Sequence, residues 1–488
     1  MQNLNATMLA STHLANGALE DKGKMNKVND IYFILFSVAI FMYLLLGWGL
    51  TTQESFIIAY QLYLVLRFIN NFGYTICFFD FLVFYSAMDT LVLPIIGYRV
   101  YNAENQLARS WGWYMRVPED VYFAYLIPAN LALFAGVSFL SRKFTASWIK
   151  DLFIKLIENA KDKGEIGIIL TVIGFFATFL DNGGSSLSFV FHLFSMLKYV
   201  GPLYIYFSDL PFRNKALYIS LGGFLVQSIV EGMFGEFIMY LIIALMVVSI
   251  KFNLRFATKL TVFLVGLFLI IVLQSIKGAY RSITWRGNTV NGVSLQNDSK
   301  FEVFGTLFLN RLSSSQKLFD EKASFALYMR MNQGYLISRA MDYVPKVEPF
   351  ANGETIIRTI GAILVPRFLW PDKPEAGGRE NLVRFLGIKQ RINYSMNIGP
   401  YGEAYGNFGP ENGVLFIFAF GLFLSFLFKK FMTNCYRRPT LILWGPLLFC
   451  YTLTVETDIL STVNSFIKGA VFVAILFWIS KKFFKTSL

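Results

Sequence analysis

Long apolar stretches recur along most of the chain, separated by short polar connectors. A helix needs about 20 mostly apolar residues to cross a bilayer, and this length predicts twelve spans. The predicted spans are 31–50, 54–69, 74–97, 122–140, 165–180, 188–207, 216–231, 232–250, 259–279, 411–429, 440–457 and 464–481. The pattern therefore predicts an all-α polytopic membrane protein with about twelve transmembrane helices.

The stretch 216–250 is divided into two spans because of its length. As one helix, rising 1.5 Å per residue, it would be about 52 Å long, which exceeds the thickness of a bilayer. Gly232 and Gly235 lie near its middle and can supply a turn. The span 54–69 is short for a crossing and carries the polar residues Tyr60 and Gln61.

Lys and Arg are distributed unevenly among the connectors, and the cytoplasmic loops of membrane proteins carry an excess of both residues. With a cytoplasmic N-terminus, the basic connectors that fall on the cytoplasmic side are 141–164, 208–215, 251–258 and 430–439. The short outer connectors without Lys or Arg are 51–53, 181–187, the turn near 232–235 and 458–463. The outer connector 98–121 contains Arg and is a mild exception. Both termini are therefore predicted in the cytoplasm, as tails of residues 1–30 and 482–488.

Two stretches differ in character from the spans. Between 143 and 163, apolar residues recur at helical spacing opposite a charged face, which predicts a helix on the cytoplasmic membrane surface. The segment 280–410 is too long for an ordinary connector and has apolar stripes of its own, so we expect a partly helical extracytoplasmic cap loop. It separates spans one to nine, within 31–279, from spans ten to twelve, within 411–481.

Composition supports the membrane assignment and excludes several kinds of site. The chain of 488 residues is 55% hydrophobic and only 15% charged, whereas soluble domains carry about 25% charged residues. Its net charge of +13 matches basic cytoplasmic loops, so nucleic acid is not an expected partner. Three cysteines and two histidines, scattered along the chain, suggest neither a disulfide framework nor a metal centre. We expect no cofactor.

Clustered cations make the stretch 364–413 the first candidate for chemistry. They include Arg367, Lys373, Arg379 and Arg384, and nearby prolines restrict the backbone. Arg on a rigid backbone suits the binding of an anionic head group. The alternative is a structured loop whose charges only keep it in water.

Two further arginines, Arg281 and Arg286, directly follow the ninth span. They would lie near the outer lipid head groups. They would either bind these groups or only extend to the interface, as long basic side chains do at the ends of spans.

Two aromatic or acidic segments are weaker candidates. In YGEAYGNFG at 401–409, Glu403 lies between Tyr401 and Tyr405, a composition common in sugar-binding surfaces and also in interfacial aromatic belts. In the turn EGMFGE, Glu231 and Glu236 are functional or paired if they lie at membrane depth, and plain surface residues if the turn reaches water.

The run LVPRFLWPDKP, followed some thirty residues later by GEAYGNFG before a span, resembles the O-antigen polymerases of the Wzy type and the oligosaccharide repeat-unit polymerases. The motif covers about 50 residues, and the rest of the chain is similar only in general plan. In many relatives a hairpin like the one at 231–236 carries Arg beside glycine, and this chain has no Arg there. Related O-antigen ligases use a histidine in the large outer loop, and this loop has none.

The resemblance implies a glycosyltransferase with an architecture like the GT-C class. Such an enzyme polymerises undecaprenyl-diphosphate-linked oligosaccharide repeat units at the outer face of the bacterial inner membrane, for O-antigen, capsule or exopolysaccharide. The implied partners are the lipid-linked oligosaccharide, membrane lipids and a chain-length regulator protein. The open alternatives are a flippase or transporter of lipid-linked glycans, an O-antigen ligase and a non-enzymatic assembly partner.

The implied reaction needs cations for the departing lipid diphosphate and a base for the acceptor hydroxyl, without a metal. For the cations we predict Arg281, Arg286, Arg367, Lys373, Arg379 and Arg384. For the base we predict Glu403, with Asp372 as the next candidate, and for the sugar contacts Tyr401 and Tyr405.

Overall fold

The computed structural model describes most of the chain in a single helical body. The described residues are 30–141, 143–180, 188–252, 254–290, 293–295, 298–313, 320–365, 369–370, 373–374, 378–389, 396–454 and 456–484. Within these ranges all regular elements are helices, apart from one isolated bridge between Val290 and Val293. The predicted all-α class is therefore confirmed for the described residues.

The first half of the chain contains both short and long helices. They are α1 (Asp30–Gly47), α2 (Thr52–Asn71), α3 (Phe78–Arg99), α4 (Gln106–Trp111), α5 (Glu119–Ser141), α6 (Ala146–Ala160), α7 (Gly164–Leu180), α8 (Ser188–Ser195), α9 (Leu197–Phe207), α10 (Arg213–Glu231) and α11 (Gly235–Val248).

The second half contains one very long helix at each end of the cap region. Its helices are α12 (Phe256–Arg286), α13 (Lys300–Leu312), α14 (Glu321–Met331), α15 (Gly334–Tyr343), α16 (Glu354–Leu364), α17 (Arg379–Leu386), α18 (Gly399–Arg437), α19 (Gly445–Phe449) and α20 (Ile459–Ile479).

Six of the described helices are long and apolar enough to cross a membrane, namely α1, α3, α5, α12, α18 and α20. A seventh crossing results if α6 and α7, which meet at an angle of 86°, form one bent span. The chain is thus a helical membrane protein. Its other predicted spans do not meet these limits of length and hydropathy, although α2 and α10 are continuous helices of 20 and 19 residues.

The prediction of one continuous span over 440–457 is wrong. The segment consists of a 3₁₀ helix, Pro439–Trp444, followed by the short α19, and the described residues 450–454 and 456–458 beyond it are not helical. Pro439 and Pro446 open these two pieces, and proline cannot donate the backbone hydrogen bond that a continuous helix requires at that position. Because its Trp444 and Leu443 are fully buried, protein and not lipid surrounds this broken backbone.

Small residues let the central pair of helices, α5 and α18, approach backbone to backbone. A Cβ atom on Gly136 would lie 2.6 Å from the carbonyl oxygen of Phe418. On the same seam, the Ser425 hydroxyl donates to the carbonyl oxygen of Val137 at 2.9 Å and accepts from the backbone N–H of Leu140 at 3.1 Å. Close approach and interhelical hydrogen bonds are how helices associate within a bilayer.

The amphipathic stretch 143–163 forms α6, but other helices cover its apolar face. Ile149 and Leu152 are fully buried, Phe153 packs against Phe207 of α9, and Trp148 stacks on Tyr436 of α18. The face that was predicted to lie on the membrane surface therefore packs within the protein.

The tenth span begins earlier than predicted, because α18 already starts at Gly399 and includes the YGEAYGNFG segment. The helix is interrupted at Gly409, which has φ 73° and ψ −170°, just before Pro410. Pro410 has no N–H to donate to the carbonyl of Gly406, and the backbone N–H of Ala351 donates to that oxygen instead, at 3.0 Å. The N–H of Asn352 likewise donates to the carbonyl oxygen of Asn407, at 2.9 Å. The cap loop is thereby joined to α18 at its kink.

We expect Gly136→Val to destabilise the protein strongly, because the added side chain must push α5 and α18 apart. Overpacking of this kind costs about 1–3 kcal/mol or more. The measurement is the apparent melting temperature of the detergent-extracted protein. Gly266→Val is the matched control, since a Cβ atom at Gly266 on α12 meets nothing within 4 Å. Equal melting temperatures of the two variants would contradict the described packing.

Candidate functional site

The predicted cation Arg384 lies on α17 and is already paired with acids. Its Nε atom is 3.0 Å from Oε1 of Glu348, and its Nη2 atom is 2.9 Å from Oε2 of Glu354 at the start of α16. The hydrogen bond from Arg384 lowers the pKa of Glu354. Arg384 therefore ties α17 to α16, and much of its charge is compensated before any ligand arrives.

A small pocket of about 50 Å³ lies beside this pair, where α16 and α17 meet the beginning of α20. It is lined by Thr355, Arg358, Thr359, Pro374, Gly378, Glu380, Asn381, Arg384, Asp458 and Leu460. Arg358 and Glu380 form a loose ion pair of 3.8 Å across it. The lining is polar and mixed in charge, as a site for hydroxyl-rich ligands would be.

The other predicted cations of the cap loop are dispersed. The ammonium group of Lys373 donates to the carbonyl oxygen of Val365 at 2.9 Å, just past the end of α16. Arg379 begins α17 and does not line the pocket. Arg367 and Asp372 lie outside the described residues.

Glu403 lies beneath the pocket with no exposed surface. Its Oε2 atom accepts a hydrogen bond of 3.1 Å from the backbone N–H of Ile459, the first residue of α20. The side chains of Asn381 and Asp458, which line the pocket, flank the same carboxyl group. A carboxylate at a helix N-terminus stabilises that helix, so Glu403 anchors α20 to α18. Its role as a base stays a prediction.

The predicted sugar contacts, Tyr401 and Tyr405, are only 2% and 8% exposed. The Tyr401 hydroxyl lies 2.6 Å from Oγ of Ser86 and donates to Oδ1 of Asn130 at 3.2 Å. The Tyr405 ring packs edge-on against Tyr125. In this structure both tyrosines belong to the helical core.

The space beside Gly402 and Gly406 is already occupied by protein. A Cβ atom on Gly406 would lie 2.8 Å from the ring of Phe385, and one on Gly402 would lie 3.1 Å from Ile398. These glycines permit the close packing of α18 against the cap. They leave no room for a sugar in this conformation.

Arg281 holds the turn between α10 and α11. Its Nε atom donates to the carbonyl oxygen of Gly232 at 2.9 Å, and Trp285 Nε1 donates to that of Glu231 at 3.1 Å. Cations favour a helix C-terminus, where carbonyl groups lack partners. The turn has no Arg in its own sequence, but it receives one from α12. Arg286 is the exposed last residue of that helix.

Sequence reasoning missed a group of interacting residues that we call the Glu456 cluster: Tyr85, Lys277, Arg330 and Glu456. The Tyr85 hydroxyl donates to Oε1 of Glu456 at 2.9 Å. Burial raises the pKa of the Glu456 carboxyl, while the hydrogen bond from Tyr85 and the charges of Lys277 and Arg330 act to lower it. Arg330 of α14 lies against α12, since a Cβ atom on Gly278 would be 3.5 Å from its Nη2 atom.

The sequence itself contained an indication of the Glu456 cluster. Lys277 and Glu456 fall inside the predicted spans 259–279 and 440–457. Charged residues inside spans are rare and usually functional. The long apolar windows concealed them, because one charge hardly changes the mean hydropathy of about twenty residues.

Comparison with known proteins yields one finding. A family model described as a domain of unknown function, DUF8712, matches residues 124–440, which is well over half of the chain. The matched region includes Lys277, Arg330, Arg384 and Glu403, but neither Tyr85 nor Glu456. No curated protein and no solved structure matches the chain.

We expect Arg384→Gln to loosen the cap, because Glu348 and Glu354 then face each other without a cation. The lowered pKa of Glu354 means that the pairing stabilises the cap above the ordinary pKa of glutamate and that this stability is lost as the pH falls through the lowered pKa. Limited proteolysis between residues 345 and 390 at neutral pH measures the effect. Lys322→Gln, at an exposed position on α14, is the control and should leave the cleavage rate unchanged.

Proposed function

The chain belongs to the DUF8712 family, whose description names no activity, and we propose that it is a glycosyltransferase that joins lipid-linked oligosaccharide repeat units in the bacterial inner membrane. In the proposed reaction a glycan chain is transferred from undecaprenyl diphosphate to a hydroxyl group of a second lipid-linked repeat unit. The product is O-antigen, capsule or exopolysaccharide, and no metal takes part.

The observation that carries this proposal is the Glu456 cluster. It combines an exposed carboxylate with two cations, Lys277 and Arg330, whose charges act on it. A departing lipid diphosphate accumulates negative charge, which ammonium and guanidinium groups stabilise. The acceptor hydroxyl needs a proton acceptor nearby, and a carboxylate can serve as one.

Two further observations support the same reading. The polar pocket between α16, α17 and α20 offers hydroxyl, amide and guanidinium groups to a sugar chain. The motif LVPRFLWPDKP followed by GEAYGNFG resembles the polymerases of lipid-linked repeat units.

A flippase for lipid-linked glycans is the second candidate, and a specific observation favours it. Lys198 is only 3% exposed on α9, directly after the break between α8 and α9. Transporters often bind their substrate beside broken helices within the membrane. In contrast to a polymerase, a flippase leaves its glycan the same length on the two sides of the membrane.

The proposal includes a topology of twelve crossings with both termini in the cytoplasm and an architecture like the GT-C class. The eleventh crossing then runs through the broken segment 439–457, which protein surrounds. In this topology the cap lies on the outer side, where lipid-linked repeat units are polymerised, and Glu456 lies at the outer end of the eleventh crossing.

Cysteine labelling tests this topology. The native cysteines, Cys77, Cys435 and Cys450, are all buried. They are replaced by Ala, so that no native thiol reacts with the reagent. A cysteine at exposed Glu104 should react with an impermeant thiol reagent in cells with a permeabilised outer membrane, and one at exposed Glu158 should react only after lysis. The reverse pattern would invert the proposed orientation.

Deletion of the gene tests the activity. We expect lipid-linked glycans of a single repeat unit to accumulate on the outer face of the inner membrane, because units still arrive but are not joined. Mass spectrometry of the extracted lipids gives the chain length, and restoration by the intact gene is the control. Full-length chains without attachment would indicate a ligase, and accumulation on the cytoplasmic side would indicate a flippase.

A further inference from the structure

Glu456 occupies an unusual position in the fold. It lies in the short link that precedes α20, and it accepts the hydrogen bond from Tyr85, which belongs to the membrane helix α3. This contact joins residues that are 371 positions apart in the chain. A hydroxyl group that donates to a carboxylate oxygen at 2.9 Å fixes the direction of that carboxylate.

The Glu456 side chain is exposed at the surface of the protein, although neighbouring groups crowd its carboxyl and burial raises the pKa of that carboxyl. A substrate hydroxyl can reach an exposed carboxylate, whereas Glu403 has no exposed surface in this structure.

The helix that carries Tyr85 is irregular at this place. One turn after Tyr85, α3 widens into a π-helical segment, Met88–Val92, and irregularities of this kind frequently occur at functional sites. Asp89 in this segment is fully buried and lies beside the Tyr85 hydroxyl, with which it interacts. A buried acid inside a membrane helix usually marks a functional site.

We propose that Glu456 is the general base of the proposed transfer and that Tyr85 is the residue that positions it. The inference rests on the proposed function. The oxygen of the acceptor hydroxyl forms a bond to the anomeric carbon of the donor, and its proton passes to the Glu456 carboxylate. The bond from the anomeric carbon to the diphosphate oxygen breaks, and the lipid diphosphate leaves with the bonding electron pair.

The cations of the Glu456 cluster complete the balance of charge. The charges of Lys277 of α12 and Arg330 of α14 act on the Glu456 carboxyl, and the charge of Arg281 acts on Lys277. Negative charge develops on the diphosphate as its bond to the anomeric carbon breaks, and these cations stabilise it. The site thus draws on four elements: α3, α12, α14 and the link before α20.

Three Glu→Gln variants of the full-length protein test the assignment. Each is reconstituted in proteoliposomes with single repeat units extracted from the deletion strain, and chain elongation is followed by gel. Glu456→Gln should slow elongation by about 10²–10⁴-fold, the usual contribution of a general base. Glu403→Gln should slow it only as far as it lowers the amount of folded protein, and Glu158→Gln, at an exposed position on α6, is the matched control.

The pH profile separates positioning from a merely structural role. Elongation requires the unprotonated carboxylate, so the rate should rise with pH through the raised pKa of Glu456. The groups that face this carboxyl are Tyr85 and Asp89 of α3, Lys277 of α12 and Arg330 of α14. Tyr85→Phe removes a hydrogen bond that lowers this pKa, so the acid limb of the profile should move to higher pH.

The outcomes distinguish the two proposals. If wild-type protein does not elongate the extracted units, the proposed function falls. If wild-type protein elongates them and Glu456→Gln elongates them equally well, only the assignment of the base is wrong. The assignment is also wrong if Glu403→Gln alone abolishes elongation. Should Glu456→Gln not fold, Tyr85→Phe decides, because an unchanged acid limb overturns the assignment.

Discussion

The buried hydrogen-bond network around Tyr401 is the interaction on which the rest of this structure depends. Ser86 of α3, Asn130 of α5 and Tyr401 of α18 share their polar atoms within 3.2 Å. Within an apolar bundle an unpaired polar group is expensive, so these three helices have one arrangement that satisfies all the donors and acceptors of the network. The network sets the depth and rotation of α18.

The consequences of that placement extend to the candidate site. Once α18 is fixed, Glu403 is held two residues after Tyr401, and its carboxylate binds the N-terminus of α20. The beginning of α20 in turn sets the position of the link that contains Glu456. The same helix α3 that supplies Ser86 to the network also supplies Tyr85 to Glu456. Two consecutive residues of one helix therefore serve different parts of the structure. Ser86 belongs to the buried network and Tyr85 to the Glu456 cluster.

The sequence predicted the helices well where local pattern decides. Runs of about twenty apolar residues mark α3, α5, α12, α18 and α20, and Gly232 ends α10 as expected for a residue with a positive φ of 66°. The break in 440–457 was missed because hydropathy does not register Pro446. A window average reports how apolar a segment is and says nothing about whether its backbone can continue as a helix.

The candidate site was predicted less well, because its electrostatics depend on pairs that are distant in sequence. Arg384 was predicted to bind an anion, but it meets Glu348 and Glu354, which lie 36 and 30 residues away. Glu456 was overlooked since its partner Tyr85 lies at the other end of the chain. Charge clustering along a sequence indicates where cations are abundant, and only the fold determines which of them remain available to a ligand.

The junction at Pro410 gives the cap a mechanical character. Two carbonyl oxygens of α18, those of Gly406 and Asn407, accept hydrogen bonds from the backbone of the cap loop. If the loop departs, both oxygens lose their partners in surroundings that offer little water, and no intermediate position of the loop satisfies either of them. The cap should therefore open in one all-or-none step with a defined barrier, and it should have two states, closed and open.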